Sequence, residues 1–144
     1  MPDPILLTYA DAVERIEKAA EGREDYVNAV PDDNGDYPLC QNLNEDGSGS
    51  CIVGTAFRAE LIEEGLTHTD DYNFDGISAI LSNVLANRIQ VTPKALRFLE
   101  AVQESQDAGN SWGTAIEGAK ASLTDSYRCY DDATPVADPL RYYF

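Results

Sequence analysis

At 144 residues and 15.7 kDa, the chain has the length of one domain rather than two. Its apolar fraction of 43% is enough for a core and excludes disorder by composition. The 26 acidic residues against 10 basic ones give a net charge of −16, well past the ~2–8 that keep a small domain soluble, and a chain so negative is repelled by nucleic acid and by anionic membrane, which excludes both as direct partners.

The first seven residues have no basic start, and Ile5-Leu6-Leu7 is too short for a signal peptide core. No apolar stretch approaches the ~20 residues that cross a bilayer. Three cysteines, an odd number, fit a reducing compartment better than a disulfide framework, so a cytoplasmic protein is expected. Arg outnumbers Lys seven to three, a bias that a GC-rich genome gives and that salt adaptation resembles.

In chain order, Thr8 reads as a helix cap with Asp11 in capping-box position. Tyr9, Val13, Ile16 and Ala20 then recur on one helical face until Gly22 stops the helix. Tyr26–Val30 and Tyr37–Leu43 read as two short strands about an Asn34-Gly35 turn, a β-hairpin at about 26–43 that must lie on helices. Ser50 is the expected cap of a second helix beginning at Cys51, with Ile52, Val53, Ala56, Phe57, Leu61 and Ile62 as its stripe and Gly65 as its stop. Gly54 inside that helix costs ~1 kcal/mol relative to Ala, which a close approach of the hairpin backbone would explain.

Phe74, Ile77, Ile80, Leu81, Val84 and Leu85 mark a third helix, with Asn73 or Asp75 as its cap. Thr92-Pro93 is a strong start for a fourth, running to Gly109. Ser111 caps a fifth, with Trp112, Ala115, Ile116, Ala119 and Leu123 on one side, and these last two helices form an αα-hairpin. The expected fold is therefore mainly α (α+β). It has about five helices around one core with a small β-hairpin between the first two, a single helical domain over 1–123, and an extended tail over 124–144. That tail is either packed through its aromatic residues or mobile.

No motif names a reaction. Cys51, at a helix start after a Gly/Ser loop, is the one candidate nucleophile, since helix N-termini lower a thiol pKa. The only histidine, His68, has no sequence relation to it, and a buried small hydrophobe is the competing reading. Cys40, Cys51, Cys129 and His68 lack the spacing of a zinc site. Asp71-Tyr72-Asn73-Phe74-Asp75-Gly76 matches the start of a calcium loop, but Ser82 stands where a bidentate Glu is needed. A helix-turn-helix reading of 93–123 fails for want of a basic footprint. No cofactor or metal is expected, and Cys40, Cys51, Gly54 and Trp112 are read as structural.

The acid itself is the remaining signal. Residues 1–72 hold 17 acids and 4 bases, against 9 and 6 in residues 73–144. Glu14, Glu17, Glu21 and Glu24 would cover ~15 Å of helix, about one charge per 4–5 Å. One strand of DNA carries a phosphate per ~3.4 Å, so such a stripe could imitate nucleic acid before a basic protein. Glu60, Glu63 and Glu64, with Asp70 and Asp71, would extend the field, and a merely solvated face is the alternative.

Asp25-Tyr26-Val27, then Ser50-Cys51-Ile52-Val53-Gly54, then Val102-Gln103-x-x-Gln106-Asp107-x-Gly109-x-Ser111-Trp112-Gly113-x-Ala115 resembles a family of small, functionally uncharacterised proteins from actinobacteriophages and their actinobacterial hosts. The likeness covers roughly residues 8–122. Gly49 and Thr55 stand where the family pattern has proline and histidine, which removes a histidine partner for Cys51. The resemblance implies a phage or prophage accessory product and carries no activity.

The expected function is a non-enzymatic acidic protein that acts by binding a host protein with a basic surface, such as a nucleic-acid-binding or defence protein, with inhibition of that protein as one outcome. The residues expected to carry it are Glu14, Glu17, Glu21, Glu24, Glu60, Glu63 and Glu64. The alternatives are a thiol-dependent enzyme or redox switch on Cys51, and a minor structural or homo-oligomeric protein using the tail Tyr142-Tyr143-Phe144.

Overall fold

Thr8 starts the first helix as its chemistry requires. Its hydroxyl accepts the Asp11 N–H at 3.4 Å, while the Asp11 carboxylate accepts the Thr8 N–H at 3.2 Å. Two otherwise orphaned donors are thereby satisfied at the head of α1 (Tyr9–Ala20). In this computed structural model, which describes residues 3–28, 34, 41–124 and 129–142, α1 turns Ala12, Ile16 and Ala20 into the core. Tyr9 and Val13 flank that face, partly buried, and Gly22 takes φ +77° just beyond the helix end.

The sheet is not the expected hairpin. Among the described residues the regular strands are β1 (Ile5–Leu7) and β2 (Ile89–Val91), paired in parallel with Ile5 opposite Ile89 and Leu7 opposite Val91. Residues 29–33 and 35–40, which hold most of the expected hairpin and Cys40, lie outside the described residues. Its described ends have other work. The Tyr26 carbonyl accepts the Trp112 N–H at 3.0 Å, and the Asn28 amide donates to the Ser50 carbonyl at 2.6 Å. Leu43 makes only an isolated antiparallel bridge to Gly49.

The expected second helix is two, α2 (Ile52–Ala56) and α3 (Arg58–Glu63), which makes six α-helices among the described residues against the five expected. At Phe57, between them, the backbone leaves helical geometry (φ −109°, ψ 12°) and the ring is fully buried beneath the Arg15 guanidinium, 4.9 Å from its centroid. Cys51, not Ser50, caps α2: its Sγ accepts the Gly54 N–H at 3.3 Å. Gly54 itself is where the chain comes closest. A Cβ there would lie 1.8 Å from the Asn42 carbonyl oxygen, so only glycine fits.

A 3-10 turn (Asp71–Phe74) leads to α4 (Ile77–Asn83), whose cap is Gly76 rather than Asn73 or Asp75. Thr92 and Pro93 open α5 (Pro93–Asp107) as expected, with the Thr92 hydroxyl accepting the Ala95 N–H at 3.1 Å. Ser111 does the same for Thr114 before α6 (Trp112–Thr124). The last two helices pack along one another, and Ala95, Leu96, Phe98, Leu99 and Val102 of α5 form the spine of the core. Each large side chain buried there contributes roughly 1.5–3 kcal/mol.

Two glutamines on α5 join the short helices to that spine. Gln106 Oε1 accepts the Ile52 N–H and Gln103 Oε1 accepts the Ile77 N–H, both at 2.8 Å. The first N–H groups of α2 and α4 have no intrahelical partner, and these side chains satisfy them inside the core. Beyond α6, residues 129–142 form a strap. Asp132 accepts the Tyr9 N–H at 2.8 Å and the Thr92 hydroxyl at 2.7 Å, and buried Val136 donates its N–H to the Val91 carbonyl at 2.8 Å. The strap is tied further by the Asp131 carbonyl, which accepts the Lys94 N–H at 3.0 Å, and by the Ser82 hydroxyl, which donates to Asp138 and accepts the Leu140 N–H, both at 2.8 Å; Tyr130 packs partly against the core, while Tyr142 is exposed and residues 143–144 lie outside the described residues. No helix among the described residues is long and apolar enough to cross a membrane.

Candidate binding surface

The seven glutamates read from the sequence divide into two settings. Glu14 and Glu17 stand exposed on the outer face of α1. Glu21 is the residue after the last helical position, and Glu24 lies in the turn beyond Gly22, where its carboxylate accepts the Gly22 N–H at 3.2 Å. A single helical ruler of ~15 Å therefore does not run through all four: α1 ends at Ala20, because Gly22 takes a left-handed conformation. Glu14, Glu21 and Glu24 make no ion pair among the described residues, while Glu17 lies 3.9 Å from the Lys120 ammonium.

Glu60, Glu63 and Glu64 belong to a second, paired setting. Arg15 reaches across from α1 to Glu60 at 2.5 Å, and Arg88, just before β2, binds both Glu63 and Glu64. The hydrogen bond to Glu64, and then that to Glu63, holds the Arg88 guanidinium protonated more firmly than usual. The more exposed Arg88 pairs contribute little stability; what they do is fix the direction in which each charge points. Elsewhere, Ser48 holds the Asp46 carboxyl below its ordinary pKa, and the backbone N–H of Ala133 does the same for Asp131.

The residues read as structural take three different places. Cys51 is buried at 2% exposure, with its thiol 3.6 Å from Asn42 Oδ1 and its sulfur already accepting the Gly54 N–H. A thiol so enclosed meets no reagent without local opening. Trp112 is fully buried, its indole N–H on Asn28 Oδ1 and its ring 4.4 Å from the Arg23 guanidinium. Cys40 lies outside the described residues.

The run Asp71–Gly76 is also structural. Asn73 is fully buried, accepting the Leu43 N–H at 2.8 Å and donating to the Leu43 and His68 carbonyls at 3.0 and 3.2 Å. Its side-chain amide is spent on hydrogen bonds within the fold. Among the described residues no three His, Cys, Asp or Glu side chains are grouped to hold a metal.

The three segments quoted for the family resemblance meet in space. Gln106 binds Ile52, Trp112 donates its backbone N–H to Tyr26, and Gly113 donates to Glu24 at 2.8 Å. These positions are joints of the fold. Glu100 on α5, another residue with a displaced titration that the sequence did not single out, is half buried, and desolvation raises its pKa. No periodicity or spacing marks it, because its burial comes from the packing of α4 against α5.

A groove of about 360 Å³ adjoins the paired acids, between the start of the sheet and the end of α3. Ile5 and Ile89, partners in the β1–β2 register, form its apolar floor, and Asp3, Glu60, Glu64 and Arg88 stand around it. No protein-family model, curated protein or solved structure matches the chain.

Proposed function

We propose that the chain is a small acidic accessory protein of the phage kind, acting in a host cytoplasm by binding a basic host protein and obstructing it. The observation that carries this reading is the exposed acid at α1 and its following turn: Glu14, Glu21 and Glu24 face solvent and make no ion pair among the described residues. The charge of the first 72 residues, 17 acids against 4 bases, supports it. So does the enclosure of Cys51, the candidate nucleophile of the sequence, as a helix cap.

A basic partner gains from such a field chiefly in encounter rate and orientation, and loses that gain as salt shortens the Debye length to ~8–10 Å. The test is capture of soluble proteins from an actinobacterial lysate at low and high salt, beside a Glu14→Lys/Glu21→Lys variant. Retention of a basic protein by the wild type at low salt, weakened by salt and by charge reversal, is expected. Capture that ignores both changes refutes the reading, and so does no capture at low salt.

A further inference from the structure

Resting on that binding reading, we infer that the groove between β1, β2 and α3 is the anchor point for an arginine side chain of the basic partner. The groove has the two parts such a guest needs. Its floor is apolar, with Ile89 buried at 3% but Ile5 left 51% exposed at the end of β1. Its rim is anionic: Asp3, Glu60 and Glu64 line it with Arg88, an excess of two negative charges among the described residues.

The rim is already ordered. Arg88 is forked between Glu63 and Glu64, and Arg15 is fixed on Glu60, so neither guanidinium is available to neutralise Asp3. Asp3 itself makes no ion pair among the described residues. An arginine entering here lays its methylene stem along Ile5, as long cationic side chains do on apolar surface, and brings its planar fork to a carboxylate that accepts two parallel N–H groups. The volume of about 360 Å³ holds one such side chain with its flanking backbone. Lysine offers the charge without the fork, and an acidic or neutral segment offers neither. The site thereby gives the diffuse acidity of α1 a place where attraction becomes a specific contact, with a central anchor inside a polar rim.

The probe is the capped peptide acetyl-Arg-Leu-Arg-amide, titrated at low salt into the 15N-labelled full chain, with acetyl-Gln-Leu-Gln-amide as control. Amide shifts centred on Ile5, Arg88 and Ile89 are expected for the arginine peptide alone. Asp3→Lys and, separately, Ile5→Lys should each weaken the binding by about threefold or more, since the first turns an attraction into a repulsion and the second sets a like charge on the apolar floor. Both positions are exposed, and unchanged melting temperatures show that the fold is intact. Shifts confined to the amides around Glu14 and Glu21 overturn the groove and leave the acidic-face reading standing. Equal binding of the glutamine peptide, insensitivity to both variants, or no binding overturns it too, and the lysate capture then decides the broader reading on its own.

Discussion

Gly54→Ala gives opposite answers from local and from tertiary structure, so its sign alone is informative. In an isolated helix the exchange gains about 0.8–1 kcal/mol. Here the new Cβ would lie 1.8 Å from the Asn42 carbonyl oxygen, 2.5 Å from its carbon and 2.7 Å from its Cα. Those atoms are backbone, and Asn42 is held on both sides. Its N–H donates to the Asn73 carbonyl at 2.8 Å, and its own carbonyl accepts the Ser50 N–H at 2.9 Å. To reach ordinary contact α2 must retreat by more than an ångström, breaking at least one buried hydrogen bond at about 1–3 kcal/mol and adding packing strain of about 1–3 kcal/mol. The net expectation is a loss of roughly 2–4 kcal/mol. For a domain of this size that is a fall in melting temperature of about 6–12 °C.

Gly118→Ala is the internal control. Gly118 sits in α6, and a Cβ there meets nothing within 4 Å. It should gain about 0.5–1 kcal/mol, or roughly 2–3 °C. Thermal melting of both variants by circular dichroism, with urea titration for the free energies, reads the pair. A Gly54→Ala variant as stable as Gly118→Ala would refute the close approach of residue 42 to α2.

Three further expectations use the same measurements. Gln106→Ala leaves the Ile52 N–H buried without its acceptor and should cost about 2–3 kcal/mol. Asp132→Ala removes the acceptor shared by Tyr9 and Thr92 and should cost about 1–2 kcal/mol, loosening the strap so that Val136 exchanges its amide proton faster. Glu100 has its pKa raised by burial, so the folded state binds that proton more tightly than the unfolded chain does. Its charged form therefore opposes folding, and stability falls as pH rises through the folded pKa. Glu100→Gln should melt higher than the wild type at pH 7, with the difference vanishing once the pH is below the ordinary carboxylate range; a difference independent of pH would contradict the assignment.

Features encoded over a few neighbouring residues were legible in the sequence. Thr8 with Asp11, Thr92 with Pro93, and Ser111 each act within one helical turn, so their patterns announce α1, α5 and α6. What was not legible depends on partners far along the chain. Ile5-Leu6-Leu7 shows no alternation and becomes a strand only because Ile89–Val91 arrives beside it. Gln103 and Gln106 look like polar residues on a helix, and nothing local says that they cap α4 and α2. Asn73 in its calcium-like run is the sharpest case, since the same side chain that could meet a cation is instead spent on Leu43 and His68. Of the acidic surface, exposure could be read for Glu14 and Glu17 but not the pairing of Glu60, Glu63 and Glu64, because Arg15 and Arg88 come from other elements.

The strap has a consequence for how the chain reaches its fold. β2 is flanked by residues 5–7 on one side and accepts Val136 at its far end, so an element near the middle of the sequence is completed only by segments from both extremes. During synthesis β1 emerges early and stays without its mate until residue 91 has left the ribosome, and the closure by Asp132 and Val136 comes later still. Helical pairing of α5 with α6 is local and quick, whereas the β1–β2 registry must wait for a long loop to close. An apolar Ile5-Leu6-Leu7 segment waiting in the open is the stretch most exposed to mispairing or chaperone capture, and shortening that wait is where a faster-folding version of this protein would be sought.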